Sequence, residues 1–206
     1  TIFDSVRPKR GSKPFVAMSF VADTSVAIFA GGKSSRFGSP KINAKINETE
    51  FGSLIIKALK RAGFTDIALI GGDVEDSLRW GVDFIQDDYP ESGPVGALLT
   101  AMKVCKTELL MTLPCDVPYI DEDTCRQLSK LGIGFDVRVA RTDSAQWLCS
   151  TWRRSTCEAI EREFVSGERA IHEVIEKLNF EFVDLSSQAL ANINESHQLK
   201  HQPKST

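Results

Sequence analysis

No apolar run in this 206-residue chain approaches the ~20 residues needed to span a bilayer, so no membrane partner is expected. Charge of one sign is also scarce. The net charge of −3 gives no basic footprint for nucleic acid, and a site for an anionic ligand must be local. Cysteine is present but unpatterned: the five, at 105, 115, 125, 149 and 157, form no C-x-x-C pair and are odd in number. With no secretory signal, they indicate a reduced, cytoplasmic protein whose cysteines are mostly small core residues. Cys115 stands apart because it adjoins Asp116. Internal repeats and low-complexity segments are missing too. The histidines are His172, His197 and His201, all late in the chain and none in a motif. What remains is ordinary globular composition, 42% hydrophobic and 26% charged, at a length that suits one domain with a sizeable core.

The densest information lies in Val26–Lys41, VAIFAGGKSSRFGSPK. Val26-Ala27-Ile28-Phe29 reads as a buried strand. Ala30-Gly31-Gly32 then offers backbone with almost no side chain, and Lys33, Arg36 and Lys41 add positive charge before any acid occurs. Main-chain N–H groups in such a loop can approach a ligand closely, and the cations favour phosphate oxygens. A strand followed by a solvated basic turn would use the same residues. The Walker pattern is excluded because Ala27 stands where its first glycine is required. The dinucleotide fingerprint fails because no glycine follows Gly31-Gly32 at the right spacing before Gly38.

Along the chain, strands alternate with helices. Residues 1–24 lack periodicity and read as a poorly ordered arm, residues 25–199 as the domain, and 200–206 as a frayed tail. Asn43–Asn47 suits a short strand, and Leu54, Ile55, Ala58 and Leu59 recur at helical spacing until Gly63 stops the helix. Further strands are expected at 66–72, 82–86, 108–113, 135–140, 147–152 and 180–185. Helices are expected at 97–104, 121–131, 154–165 and 168–178. The alternation predicts a three-layer α/β domain with a mainly parallel central sheet. Asp87 would then lie at the carboxyl end of one strand and Asp116, between Pro114 and Pro118, beyond another. Ligands of open α/β sheets gather at that edge, which favours a divalent metal on Asp116 over a turn or helix-cap role. Gly93, Pro94 and Gly96 build a turn at a helix start, either an anion site or a structural turn.

The ordered landmarks resemble the molybdenum cofactor guanylyltransferases, the MobA family within the nucleotidyltransferase superfamily. Ala30, Gly31, Gly32, Arg36, Gly38 and Lys41 follow its A-G-G-x-x-x-R-x-G signature with a lysine beyond. Gly93-Pro94-Val95-Gly96 resembles its G-P-x-x-G turn and Pro114-Cys115-Asp116-Val117-Pro118 its P-C-D-x-P motif. Gly167-Glu168-Arg169 is similar to its late G-E-R helix start, and Asn192-Ile193-Asn194 to its closing N-[IV]-N. Three positions depart from the family pattern: Pro40 for an aspartate, Ile70-Gly71 where a polar residue often ends the strand, and Trp147 for a proline.

The resemblance implies a Rossmann-like fold and transfer of GMP from GTP to molybdopterin with release of pyrophosphate. It places Phe29, Ala30, Gly31, Gly32 and Asp87 against the nucleotide, Lys41 and Arg36 on its phosphates, and Asp116 on both nucleotide and Mg²⁺. Gly93, Pro94, Gly96, Asn192 and Asn194 would lie near the acceptor or metal. Implied partners extend to other molybdenum cofactor biosynthesis proteins or apo-molybdoenzymes. The chemistry suits these residue types, because nucleotidyl transfer depends on positioning and charge neutralisation. A phosphate-monoester acceptor, its second pKa near ~6, needs no general base. A relative that uses CTP or another small phosphorylated acceptor, and a catalytically weak nucleotide-binding relative, fit the same motifs.

Overall fold

The computed structural model describes residues 21, 23–31 and 40–193. Gly32, Arg36, Asn194, most of the N-terminal arm and the tail lie outside them, as do the roles expected there.

The first strand, β1 (Thr24–Phe29), is buried along its whole length. Its side chains alternate between two cores. Val26 and Ile28 enter one with Ile55, Leu59, Cys125 and Leu128, while Ala27 and Phe29 enter the other with Leu98, Met102, Ile160 and Ile175. A strand buried on both faces is the mark of a sheet with helices on either side.

The expected strand at 43–47 is instead a 3-10 turn, Lys41–Asn43, followed by a small hairpin of β2 (Lys45–Ile46) and β3 (Thr49–Glu50). Asn47 and Glu48 make its tight turn with positive φ, which leaves little strand on either side. Helix α1 (Phe51–Ala62) ends where Gly63, at φ 102°, lends its N–H to Leu59 and Lys60. Strand β4 (Ile67–Ile70) is wholly buried. Next comes α2 (Val74–Trp80), capped by Asp73 and stopped by Gly81, then β5 (Asp83–Ile85). Helix α3 (Gly93–Val104) carries Pro94 in its first turn and leads to β6 (Leu109–Pro114).

The remaining elements are α4 (Glu122–Leu128), β7 (Val137–Arg141), β8 (Ala145–Arg153), α5 (Cys157–Val165), α6 (Ile171–Ile175) and β9 (Phe180–Asp184). Helix α6 begins later than the G-E-R motif suggests. Glu168 stays in the preceding loop, where Oε1 accepts from the Arg169 and Ala170 N–H groups at 2.8 Å each. These bonds hold the Glu168 carboxyl below its usual pKa.

The seven-stranded sheet runs in the order β5-β4-β1-β6-β8-β7-β9. Every adjacent pair is parallel except the two that involve β8. Helices α1 and α4 cover one face and α3, α5 and α6 the other, giving the three-layer Rossmann-like architecture. Pairing between β6 and β8 ends at Thr112↔Ser150, and Trp147–Cys149 bulge out of the ladder. Thr112 Oγ1 pins the bulge by donating to Leu148 O at 3.0 Å. Strand β8 thus parts from β6 just before β6 delivers Asp116.

Candidate active site

The strand ends that form the site lean on one another through backbone. Ala30 and Gly31 both point their N–H groups at Ile70 O, at 3.1 and 3.3 Å, and Gly71 N–H reaches Ile85 O at 2.9 Å. Gly71 holds φ 68°, and a Cβ there would stand 3.4 Å from Gly31 Cα and 3.7 Å from Asp87 Cβ. Only a glycine takes this conformation without strain and lets the two strand ends and Asp87 converge. Phe29 itself buries its ring in the core, so any ligand contact there comes from its main chain.

Asp87 is fixed rather than free to swing. Its Oδ1 accepts from Tyr89 N–H at 2.9 Å and from Thr100 Oγ1 at 3.1 Å. Thr100 lies on α3 and also bonds Gly96 O at 3.1 Å. A Cβ on Gly96 would come within 2.9 Å of Tyr89 Cβ, and one on Gly93 within 3.4 Å of Arg169 O. Gly93 and Gly96 therefore set the close seat of α3 on the Asp87 turn and on the loop carrying Glu168, with Pro94 in the first turn of the helix.

The charged centre is a pair separated by 75 residues of chain. Lys41 Nζ meets Asp116 Oδ2 at 2.8 Å, with side chains 16% and 21% exposed. The other carboxylate oxygen, Asp116 Oδ1, is buried with no hydrogen-bond partner among the described residues. A buried, unpartnered carboxylate oxygen is costly to retain and is the kind of group a cation would satisfy. The helix-cap alternative fails here, because the cap of α4 is Asp121, whose Oδ1 accepts Thr124 N–H at 2.7 Å. No group of three or more His, Cys, Asp or Glu that could hold a metal occurs among the described residues. Mg²⁺ suits one carboxylate with phosphate and water oxygens, so the donor set fits it when a nucleotide is present.

Cys115, half-buried beside the pair, has its thiol in an environment that favours the protonated form. Burial, helped by the Asp116 charge, pushes its thiol up to about 12. On the far side, Ile193 N–H donates to Asp116 O at 3.0 Å and Ile193 is buried with Ala44 and Phe51. Asn192 is exposed and reaches Gln146 Oε1 at 3.4 Å, which brings the closing motif to the Asp116 turn. Thr100 was invisible in the sequence as a site-builder, since a hydroxyl residue inside an apolar helical run carries no separate signal; Ile193 falls in the closing motif, but its bond to the Asp116 turn is long-range and carries no local signal.

A sheet edge where glycine backbone, a fixed carboxylate and a lysine–aspartate pair converge is built to handle nucleotide phosphates. That class is the nucleotidyltransferases, and a family model described as the MobA-like NTP transferase domain matches residues 26–182. The chain belongs to the MobA-like NTP transferase family and is a transferase enzyme. A protein of Clostridium perfringens strain 13 named probable molybdenum cofactor guanylyltransferase is 28% identical, over 78% of this chain and 81% of the relative. A protein of the same name from Geobacillus sp. strain WCH70 is 34% identical, over 66% of this chain and 72% of the relative. In fold, the molybdopterin-guanine dinucleotide biosynthesis protein A of Archaeoglobus fulgidus superposes with a TM-score of 0.72 at 20% identity, covering 85% of this chain and 95% of that one. No helix among the described residues is long and apolar enough to cross a membrane.

Proposed function

We propose that the protein transfers GMP from GTP to molybdopterin with Mg²⁺, forming molybdopterin guanine dinucleotide and releasing pyrophosphate. The names of its relatives support the acceptor and the base. The observation that carries the reading is the Lys41–Asp116 pair with Asp116 Oδ1 left unpartnered. Without nucleotide, Lys41 neutralises Asp116. With nucleotide, Lys41 exchanges the carboxylate for phosphate oxygens while Asp116 and its buried Oδ1 would hold the divalent ion. Bound there, Mg²⁺ would supply charge neutralisation for the phosphates and the leaving pyrophosphate.

Main-chain groups of Phe29, Ala30 and Gly31, with Gly32, would line the nucleotide, and Asp87 would contact it from the α3 side. Arg36 would add a second phosphate cation, and the motif match would put Asn192 and Asn194 near the acceptor or the metal. A phosphate oxygen of the acceptor attacks the α-phosphorus of GTP, and the bond from that phosphorus to the β-phosphate oxygen breaks. The acceptor phosphate is already largely ionised at neutral pH, so no side chain need remove a proton.

Pyrophosphate release with Mg²⁺ and molybdopterin, measured for GTP, CTP and ATP in parallel, tests the proposal. Release with GTP well above the others supports it. Release with CTP alone reassigns the base, and binding without release from any of the three makes the protein a nucleotide-binding relative.

A further inference from the structure

Lys41 stands on a single 3-10 turn, Lys41–Asn43, whose N-cap, Pro40, offers no side-chain bond. So short a turn does not fix its own orientation. Ile42, fully buried, anchors it to the core, and Ala44 just beyond accepts Phe51 N–H at 2.8 Å, which leaves rotation about these anchors as the remaining freedom.

A polar fork from α2 removes that freedom. Asn43 Nδ2 donates to Asp76 Oδ2 at 3.0 Å. Arg79 Nη2 donates to Asn43 Oδ1 at 2.9 Å and to Asp76 Oδ1 at 2.8 Å. Arg79 continues to Glu50 Oε1 at 3.3 Å, and Trp80 Nε1 donates to Glu50 Oε2 at 3.1 Å. Asp76 is only 4% exposed, a charged group placed where burial must be compensated by bonds. The Trp80 ring closes the arrangement against Gly52, where a Cβ would come within 2.3 Å of it. The same α2 starts immediately beyond Gly71-Gly72, the pair that seats Gly31 and Ala30.

We propose that Asn43 and Asp76 are positioning residues: through their bond, α2 orients the Lys41 turn relative to the glycine-lined strand ends, so that nucleotide affinity depends on a helix outside the site. The inference rests on the nucleotide reading of Lys41 given above. A merely structural network would affect stability alone. A positioning network moves the affinity for the triphosphate as well, and does so through one shared route. The Ser25 hydroxyl provides the comparison. It bonds Asp66 and Thr107 at the opposite edge of the sheet, remote from Lys41 in the topology.

The test is a double-mutant cycle read by calorimetric titration of full-length protein with Mg²⁺–GTP, beside thermal melts. Asn43→Ala and Asp76→Ala should each weaken GTP binding by about tenfold, and the double variant by no more than the weaker single variant. Ser25→Ala should lower the melting temperature while leaving the GTP affinity within about twofold of wild type. Should Asp76→Ala fail to fold, Asn43→Ala against Ser25→Ala decides alone, because Asn43 is only half-buried. GTP binding by Asn43→Ala within about twofold of wild type, or additive losses in the cycle, overturns the inference. A wild type that binds CTP instead of GTP moves the same cycle to CTP. A wild type that binds neither overturns the nucleotide reading itself, and this inference with it.

Discussion

Replacing Asp116 by asparagine keeps the shape of the side chain and removes the charge that pairs with Lys41 and would attract a divalent ion. The two consequences differ in size. For folding, the variant loses an ion pair at 2.8 Å whose members are 16% and 21% exposed, between the exposed and fully buried extremes. That places the cost at about 1–2 kcal/mol, and relief of the unpartnered Oδ1 works in the other direction. The melting temperature should fall by roughly 2–8 °C. For chemistry, a lost charge of this kind removes ~3–4 kcal/mol of transition-state stabilisation, a rate decrease of roughly 10²–10³. The assay is pyrophosphate release from GTP and molybdopterin over a Mg²⁺ titration, with melts at each Mg²⁺ concentration with and without GTP. In wild type, Mg²⁺ should add to the stabilisation by GTP, and in Asp116→Asn that addition should vanish. Near-normal turnover by the folded variant at ordinary Mg²⁺ would refute the metal assignment.

Gly71→Ala places a methyl 3.4 Å from Gly31 Cα at a φ of 68°, and should cost about 1–2 kcal/mol and weaken GTP binding; denaturant unfolding and titration measure both, and an unchanged affinity would separate Gly71 from the site. Burial pushes the Cys115 and Cys125 thiols up to about 12. In the folded protein they should resist alkylation at pH 8 and react once denatured. Because the unfolded thiols ionise first, their contribution to stability is complete below about pH 9 and is lost as pH rises toward 12; urea melts across that range would show it, and rapid labelling of native protein at pH 8 would contradict it. Deleting residues 1–17 should shift the melting temperature by no more than about 2 °C and leave GTP binding intact. The deletion stops short of Val21, which packs against the core at Gly63.

How much of this was legible in the sequence depended on whether a feature is local. Helix α1 has an apolar stripe and a glycine stop, and β1 an unbroken apolar run, so both could be read directly. Helix α2 has no such stripe: Val74 is 47% and Leu78 76% exposed, and its marks are the Asp73 cap and the Gly81 stop. Those capping signals were there to be used, flanking a segment too short and polar to advertise a buried face. The direction of β8 could not be read either, because an alternating pattern is the same whichever way a strand runs. In the site, motif spacing brought Lys41 and Asp116 to one edge, but their contact spans 75 residues and needed coordinates. Motif matching names Phe29 without saying which part of it would face a ligand; its ring belongs to the core. The Asn43–Asp76–Arg79 fork falls within no motif at all, since polar residues in short turns and short helices look like solvated surface until the fold closes over them.

The most direct measurement is the mass of the product formed when the protein is incubated with Mg²⁺, molybdopterin and an equimolar mixture of GTP and CTP. The account predicts molybdopterin guanine dinucleotide, formed together with pyrophosphate at a rate that falls by roughly 10²–10³ in Asp116→Asn. A cytosine dinucleotide, or unmodified molybdopterin after prolonged incubation with nucleotide bound, would contradict it.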